Sequence, residues 1–108
     1  MASTQDFADF IATQAAGAGH ITFRKMFGEY ALYCDGKVVA LICDDQLFIK
    51  PTQGGRAFIG EVVEAPPYPG AKLYLLIEDK YENQEWLSDL IRITSLELPI
   101  PKPKTKKR

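Results

Sequence analysis

Between residues 21 and 51 the chain alternates short apolar runs with acidic turn signals. Asp35-Gly36 and Asp44-Asp45 each separate two such runs, and Pro51 closes the last one. A two-residue hairpin turn of type I′ needs positive φ at both central residues, which Gly adopts freely and Asp tolerates. The pattern therefore predicts a β-meander of four strands, with Gly28 marking a bend between the first strand and the second.

Counting outward from the two turns predicts which residues share a face of the sheet. Tyr33 should pair with Val38, Ala31 with Ala40, and Ile42 with Leu47. One face then carries Ala31, Tyr33, Val38, Ala40, Ile42, Leu47 and Ile49, and the other carries Tyr30, Leu32, Cys34, Val39, Leu41, Cys43 and Phe48. Neither set is polar, whereas a sheet with one face in water alternates apolar and polar residues. We expect helices or a second copy of the chain to cover both faces.

Two helices are predicted before the last strand. Apolar residues recur at helical spacing through Phe7, Phe10 and Ile11, with Ser3 or Thr4 as the expected N-cap. A short second helix over 53–61 should begin at Thr52. Because it contains two consecutive glycines it should be weak. It offers only Phe58 and Ile59, with Val62 and Val63 just after it, to shield the second sheet face.

The C-terminal part of the chain predicts a fifth strand over 72–78 and a third helix. Asp79 and Glu82 have the spacing of a capping box, and the apolar stripe through Trp86, Leu87, Leu90, Ile91 and Thr94 continues to 96–98. The expected fold is a single α+β domain over 1–98. It has an antiparallel sheet of about five strands and an N-terminal, a short middle and a C-terminal helix.

The composition of residues 99–108 differs from that of residues 1–98 and predicts a disordered tail. Five of the 13 basic residues lie there, leaving eight basic against 14 acidic residues in the body. An acidic body argues against a groove that binds nucleic acid. The tail itself is either a solubilising end or a weak, salt-sensitive polyanion contact through Lys102, Lys104, Lys106, Lys107 and Arg108.

Little in the sequence points to catalysis or cofactor binding. His20 is the single histidine, and Cys34 and Cys43 lie too far apart along a strand pair for a disulfide. We expect both cysteines to act as small strand hydrophobes and His20 to lie in a surface loop. No metal site, cofactor or catalytic residue is predicted, and no membrane span or signal peptide, which places the chain in the cytoplasm.

The meander also carries a long motif. Arg24-Lys25-Met26-Phe27-Gly28, Tyr30, Leu32-Tyr33 and Asp35-Gly36-Lys37 are followed by Ala40-Leu41, Asp44, Leu47-Phe48 and Lys50. This series resembles the TfoX/Sxy N-terminal domain family, and the resemblance extends loosely over residues 5–97. Glu29 and Ala31 stand where the family often has Gly.

The resemblance implies an α+β domain found in non-enzymatic regulators of natural competence, which act with a transcriptional activator. Such regulators usually carry a second, helical domain, and we expect this chain to be a stand-alone N-terminal domain that binds an unidentified protein partner. The candidate ligand or partner contacts are Arg24, Gly28, Glu29, Tyr30, Tyr33 and Lys50. Two alternatives stay open: a small-ligand binder or enzyme with a pocket between sheet and helices, and nucleic-acid binding through the tail. A homodimer is slightly favoured over a monomer.

Overall fold

The computed structural model describes residues 4–26 and 29–99. Within them the chain forms three α-helices and six strands, in an α+β arrangement with one antiparallel sheet. The elements are α1 (Gln5–Gln14), β1 (Ile21–Met26), β2 (Glu29–Cys34), β3 (Lys37–Cys43), β4 (Gln46–Ile49), α2 (Gln53–Ile59), β5 (Val63–Ala65), β6 (Tyr74–Ile77) and α3 (Gln84–Glu97). Short 3-10 turns follow α1 and precede α3.

The sheet has the strand order β1-β2-β3-β4-β6-β5. Residues opposite each other on neighbouring strands share a face, so two kinds of row cross the sheet. The rows that face the helices pack into the core, and they are Tyr30-Ile42-Leu47-Ile77 and Leu32-Ala40-Ile49-Leu75. A third row, Ala31-Leu41-Phe48-Leu76, lies on the opposite face, which we call the open face.

Both predicted turns are confirmed by their backbone angles. Asp35 and Gly36 have φ of 52° and 84°, and Asp44 and Asp45 have φ of 55° and 54°. Positive φ at both central positions is the type I′ geometry that suits the right-handed twist of the flanking strands. The two hairpin turns therefore fix where β2 ends, where β3 begins and ends, and where β4 begins.

The register is right in the second hairpin and only partly right in the first. Ile42 pairs with Leu47 and Tyr33 with Val38, as expected. A bulge then shifts the ladder, so that Ala40 pairs with Leu32 instead of Ala31. The extra residue moves Tyr30, Leu32 and Cys34 onto the same face as Ala40 and Ile42. The predicted faces are therefore wrong: the alternation holds within β2, but the bulge in β3 places the consecutive residues Val39 and Ala40 on the same face.

Helices α1 and α2 begin at the caps that the sequence suggests. The Thr4 side chain accepts a hydrogen bond from the Phe7 N–H at 3.2 Å, and the Thr52 side chain accepts one from the Gly55 N–H at 3.0 Å. The glycines of α2 have a packing role as well as a helix-weakening effect. A Cβ at Gly54 would lie 2.9 Å from Ile93 Cγ2 and would overlap the Glu97 carboxylate, so the missing side chain lets α2 lie close against α3.

Two predictions for the C-terminal half are wrong in detail. Helix α3 begins at Gln84, because the Asn83 side chain accepts a hydrogen bond from the Trp86 N–H at 3.0 Å; the Asp79 side chain makes no such cap bond. The sheet also has a sixth strand, β5, which pairs with β6 along its outer edge. The end of α3 at Glu97, before Pro99, agrees with the prediction.

All three helices lie on the same side of the sheet. Ile11 of α1 and Leu87, Leu90 and Ile91 of α3 are fully buried against the core rows, and Phe58 of α2 packs at 5.5 Å on Trp86 of α3. The alternative in which the short helix covers the second sheet face is therefore wrong. Since α2 packs onto α3, no described helix covers the open face.

Candidate functional site

The open face carries an apolar groove with a volume of about 720 Å³. Its floor comes from β3, and its walls come from β1, β2, β6 and the proline-rich loop after β5. We call it the apolar groove; the lining residues are Met26, Glu29, Tyr30, Val38, Leu41, Cys43, Lys50, Tyr68 and Tyr74. The bulge in β3 helps to form it, because the extra residue sends Val38 and Leu41 to this face while Val39 and Ala40 join the core.

The two ends of the apolar groove differ in charge. Glu29 lies at one end, where its carboxylate accepts a hydrogen bond from the Asp44 N–H at 3.1 Å. Lys50 lies at the other end and forms no ion pair with residues 4–26 or 29–99. The Cys43 thiol between the strands is buried, and burial, with the nearby Glu29 and Asp44 carboxylates, raises its pKa to about 11. This thiol is neutral at physiological pH, so the groove presents one unpaired positive charge.

A second groove, of about 470 Å³, adjoins the first at Val38 and Lys50. We call it the basic groove, because three of its lining side chains are cations and none is a carboxylate. Its lining residues are Arg24, Tyr33, Gly36, Lys37, Val38, Lys50 and Pro99. The Lys37 ammonium donates a hydrogen bond to the Ser95 carbonyl at 2.8 Å. It thereby places a positive charge at the C-terminus of α3, where the helix dipole favours one.

The structure brings together some of the residues predicted to contact a ligand or partner. Arg24, Tyr33 and Lys50 line the basic groove, and Glu29 and Lys50 mark the two ends of the apolar groove. Tyr30 borders the apolar groove, but its ring packs edge to face on Phe23, with centroids 5.6 Å apart, on the helix side. Gly28 and the five basic tail residues from Lys102 to Arg108 lie outside the described residues.

Sequence reasoning missed several further lining residues of these grooves, Lys37 and Tyr68 among them. The Asp35-Gly36 turn shows that Lys37 begins a strand. Its hydrogen-bond acceptor, the Ser95 carbonyl on α3, is 58 residues away in sequence, so no local pattern predicts the contact. Tyr68 belongs to the proline-rich loop Pro66-Pro67-Tyr68-Pro69. Its direction toward the open face follows only from the position of β5, a strand that the sequence did not reveal.

The other chemically reactive residues occupy the positions expected of structural ones. Both cysteines are free and buried, Cys34 on the helix face and Cys43 on the open face, and His20 is exposed. Over residues 4–26 and 29–99, no three His, Cys, Asp or Glu side chains form a group that could hold a metal ion. The helices in those ranges include none that is long and apolar enough to cross a bilayer.

Fold and surface together define a small two-layer α+β domain, with helices on one side of an antiparallel sheet and an apolar groove on the other. The model of the TfoX N-terminal domain matches residues 13–97, and the chain belongs to that family. It is also 42% identical over 107 residues to an uncharacterised 12.7 kDa protein from the trpE 5′ region of Spirochaeta aurantia. That alignment covers 99% of this chain and 93% of the relative. The family is not a known family of enzymes.

Proposed function

We propose that this protein is a regulatory module without enzymatic activity, which acts by binding another protein through its open face. The observation that carries the proposal is the one-sided placement of the helices. Because α1, α2 and α3 all pack on the core rows, the apolar groove of about 720 Å³ stays accessible. Membership of the TfoX N-terminal domain family supports a regulatory role, in competence or transcription, over a catalytic one.

The composition of the open face supports a protein as its occupant. Met26 and Tyr68, which line the apolar groove, are 44% and 56% exposed. A contiguous apolar patch rimmed by polar residues marks interaction sites on soluble proteins, whereas isolated apolar residues do not. Tyr and Met are also enriched in protein interfaces relative to other surfaces. The groove therefore has the residue types that a protein segment would bury.

Charge indicates what that segment should contain. The Glu29 carboxylate is already hydrogen-bonded to the protein's own backbone, while Lys50 has no ionic partner among the described residues. A partner that buried Lys50 without a counter-charge would bear the cost of desolvating it. The occupant we propose is thus an apolar segment of a different protein, with a carboxylate that meets Lys50.

Photo-crosslinking from the open face tests this proposal. A photoreactive amino acid replaces Leu41, at the centre of the groove, in the full-length chain expressed in its native host. The matched control replaces Leu96, which is more exposed, at 76%, but lies on α3 away from the sheet. We expect a discrete product with another protein from position 41 and none from position 96.

Substitution of Lys50 shows whether the product is specific. Lys50→Arg should preserve the crosslinked product and Lys50→Glu should abolish it, while thermal unfolding of both variants stays close to that of the unsubstituted chain. Equal products from positions 41 and 96, or a product that survives Lys50→Glu, would contradict the proposal. A product at twice the mass of the chain would show that a second copy occupies the open face and would also overturn it.

A further inference from the structure

We infer that the outer edge of β1 binds an acidic, extended segment of another protein as an added antiparallel strand. This surface is distinct from the apolar groove, so the inference does not depend on what occupies the groove. Strand β1 lies at one edge of the sheet, and among the described residues it pairs only with β2. An edge strand presents unpaired backbone N–H and C=O groups, and recognition by strand addition uses such groups.

The hydrogen-bond pattern shows which backbone groups of β1 point outward. The Asp35 N–H donates to the His20 carbonyl at 2.9 Å, and this pair continues the β1–β2 ladder by one residue. Hydrogen-bonded and non-hydrogen-bonded positions alternate along an antiparallel pair. Every second residue after His20 therefore bonds to β2, and the residues between them direct their N–H and C=O groups away from the sheet. These outward residues are Ile21, Phe23 and Lys25. Each offers one donor and one acceptor to a partner strand.

Two adjacent cations on β1 favour an acidic partner. Arg24 lies on the open face, opposite Ala31, and Lys25 lies on the helix face, opposite Tyr30. Both side chains are exposed, and neither forms an ion pair with a described residue. Opposite charges at facing positions stabilise a strand pair. The segment we infer therefore has acidic residues at two consecutive positions, one for each face of the sheet.

The side chains beside these cations define the rest of the segment. Met26 is 44% exposed on the open face, and Ile21 and Phe23 are half-buried on the helix face. Cross-strand neighbours on an added strand would cover the exposed parts of these side chains. The expected segment therefore has apolar residues on both sides of its acidic pair.

The other edge of the sheet is a poorer site for an added strand. Strand β5 has only three residues and is followed by Pro66 and Pro67, which have no backbone N–H to donate. Its central residue, Glu64, already forms an ion pair with Arg56. The edge of β1 is longer, and its charged side chains have no ionic partner among the described residues.

The charges of β1 also disfavour a second copy of the chain as the occupant. Antiparallel pairing of two β1 strands would bring Arg24 and Lys25 of both copies close together, and like charges on facing strands destabilise a pair. Charged residues on edge strands are a common means by which proteins avoid edge-to-edge association. An acidic strand from a different protein encounters neither obstacle.

Amide hydrogen exchange in the full-length protein, followed by NMR, tests the inference with a defined probe. The probe is the peptide Val-Glu-Glu-Val-Thr-Val with blocked ends, whose glutamates lie opposite Lys25 and Arg24 in antiparallel register. In the free protein the outward amides of Phe23 and Lys25 should exchange faster than the ladder-bonded amides of Thr22 and Arg24. Peptide at millimolar concentration should slow exchange of the outward amides at least about tenfold.

Methylation of the peptide backbone provides a control that leaves the protein unchanged. The nitrogen of the fourth peptide residue faces β1, opposite Phe23, whereas the nitrogen of the third residue faces away. Methylating the fourth nitrogen should therefore abolish the slowing of exchange, and methylating the third should preserve it. A peptide with both glutamates replaced by lysine should not bind.

A pair of protein variants separates backbone pairing from charge. Lys25→Pro removes an outward N–H without removing a ladder bond, a change that edge strands tolerate, and it should abolish peptide binding. Lys25→Gln removes the same charge but keeps the N–H, so it should weaken peptide binding by at most about fivefold. The NMR spectra of the two free variants show whether each retains the fold.

Three results would overturn the inference. One is unchanged exchange at Phe23 and Lys25 in the presence of millimolar peptide. Another is an equal effect of the two methylated peptides, which would indicate charge attraction without strand addition. The third is a dimer in sedimentation whose outward β1 amides exchange slowly without peptide, which would show that a second copy occupies this edge.

Discussion

Replacing Thr94 with Val should stabilise the protein. Thr94 lies on α3 with no exposed surface, and its hydroxyl has no hydrogen-bond partner among the residues that the structure describes. It faces the closely packed side of α2, where a Cβ built on Gly55 would lie 3.6 Å from the Thr94 Oγ1. The folded state therefore bears the cost of removing a hydroxyl from water without a compensating bond.

The magnitude follows from that uncompensated hydroxyl. An unsatisfied buried polar group costs about 1–3 kcal/mol. Val has nearly the same shape as Thr and a similar helix propensity. We therefore expect Thr94→Val to raise the free energy of unfolding by about 1–2 kcal/mol, which corresponds to a rise in Tm of about 4–8 °C for a domain near this size.

Urea unfolding followed by the fluorescence of Trp86, the single tryptophan, measures the change. Thr13→Val serves as the control because Thr13 is exposed on α1, and its effect should stay within about 0.5 kcal/mol. Thr94→Ser retains the hydroxyl but loses a buried methyl group, so it should lower stability by about 1 kcal/mol. If Thr94→Val left stability unchanged or lower, the hydroxyl would have to be hydrogen-bonded and the reasoning would fail.

Three smaller predictions concern the helix ends and one buried thiol. Lys37→Met should lower the free energy of unfolding by about 1 kcal/mol in urea denaturation, because the Ser95 carbonyl loses its charged donor at the end of α3. Lys37→Arg should retain part of the stabilisation that this hydrogen bond provides. Asn83→Ala should lower the free energy of unfolding by about 1 kcal/mol in the same assay, because α3 loses its cap, whereas Asp79→Ala should lower it by less than about 0.5 kcal/mol. A larger loss in Asp79→Ala than in Asn83→Ala would show that Asp79 is the cap. With a pKa raised to about 11, Cys43 should react slowly with iodoacetamide at neutral pH and faster, tenfold for each pH unit, as pH rises toward that pKa; fast labelling at pH 7 in native protein would contradict this.

The sequence predicted local features of the fold well, because their causes are local. The Asp35-Gly36 turn, the Thr52 cap and the end of α3 before Pro99 depend on residues within a few positions of one another. The bulge at Val39 was missed because nothing in an apolar run distinguishes an extra residue from a paired one. Strand β5 was missed for a related reason: three residues become a strand only by pairing with β6.

The same distinction explains which parts of the site could be predicted. Arg24, Tyr33 and Lys50 were candidates because they lie on the meander, and the ladder brings them to one groove. Tyr30 was expected on the opposite face from Ala40, but the bulge places its ring toward the helices. Which sheet face the helices cover depends on how α2 packs on α3. Contacts between segments distant in sequence determine that packing, so the sequence pattern did not predict it.

The hairpin tips of this sheet also anchor the N-terminal segment. The Asp45 carboxylate accepts the Thr4 N–H at 2.8 Å, just before α1, and the Asp35 carboxylate accepts the His20 N–H at 2.9 Å, just after it. Hairpin tips are ordinarily the places where insertions and substitutions are best tolerated. In this chain either turn replaced by Gly-Gly would keep its backbone geometry but lose the carboxylate that accepts a backbone N–H at one end of the N-terminal segment. Evolution or design can therefore vary these loops only by changing the N-terminal helix with them.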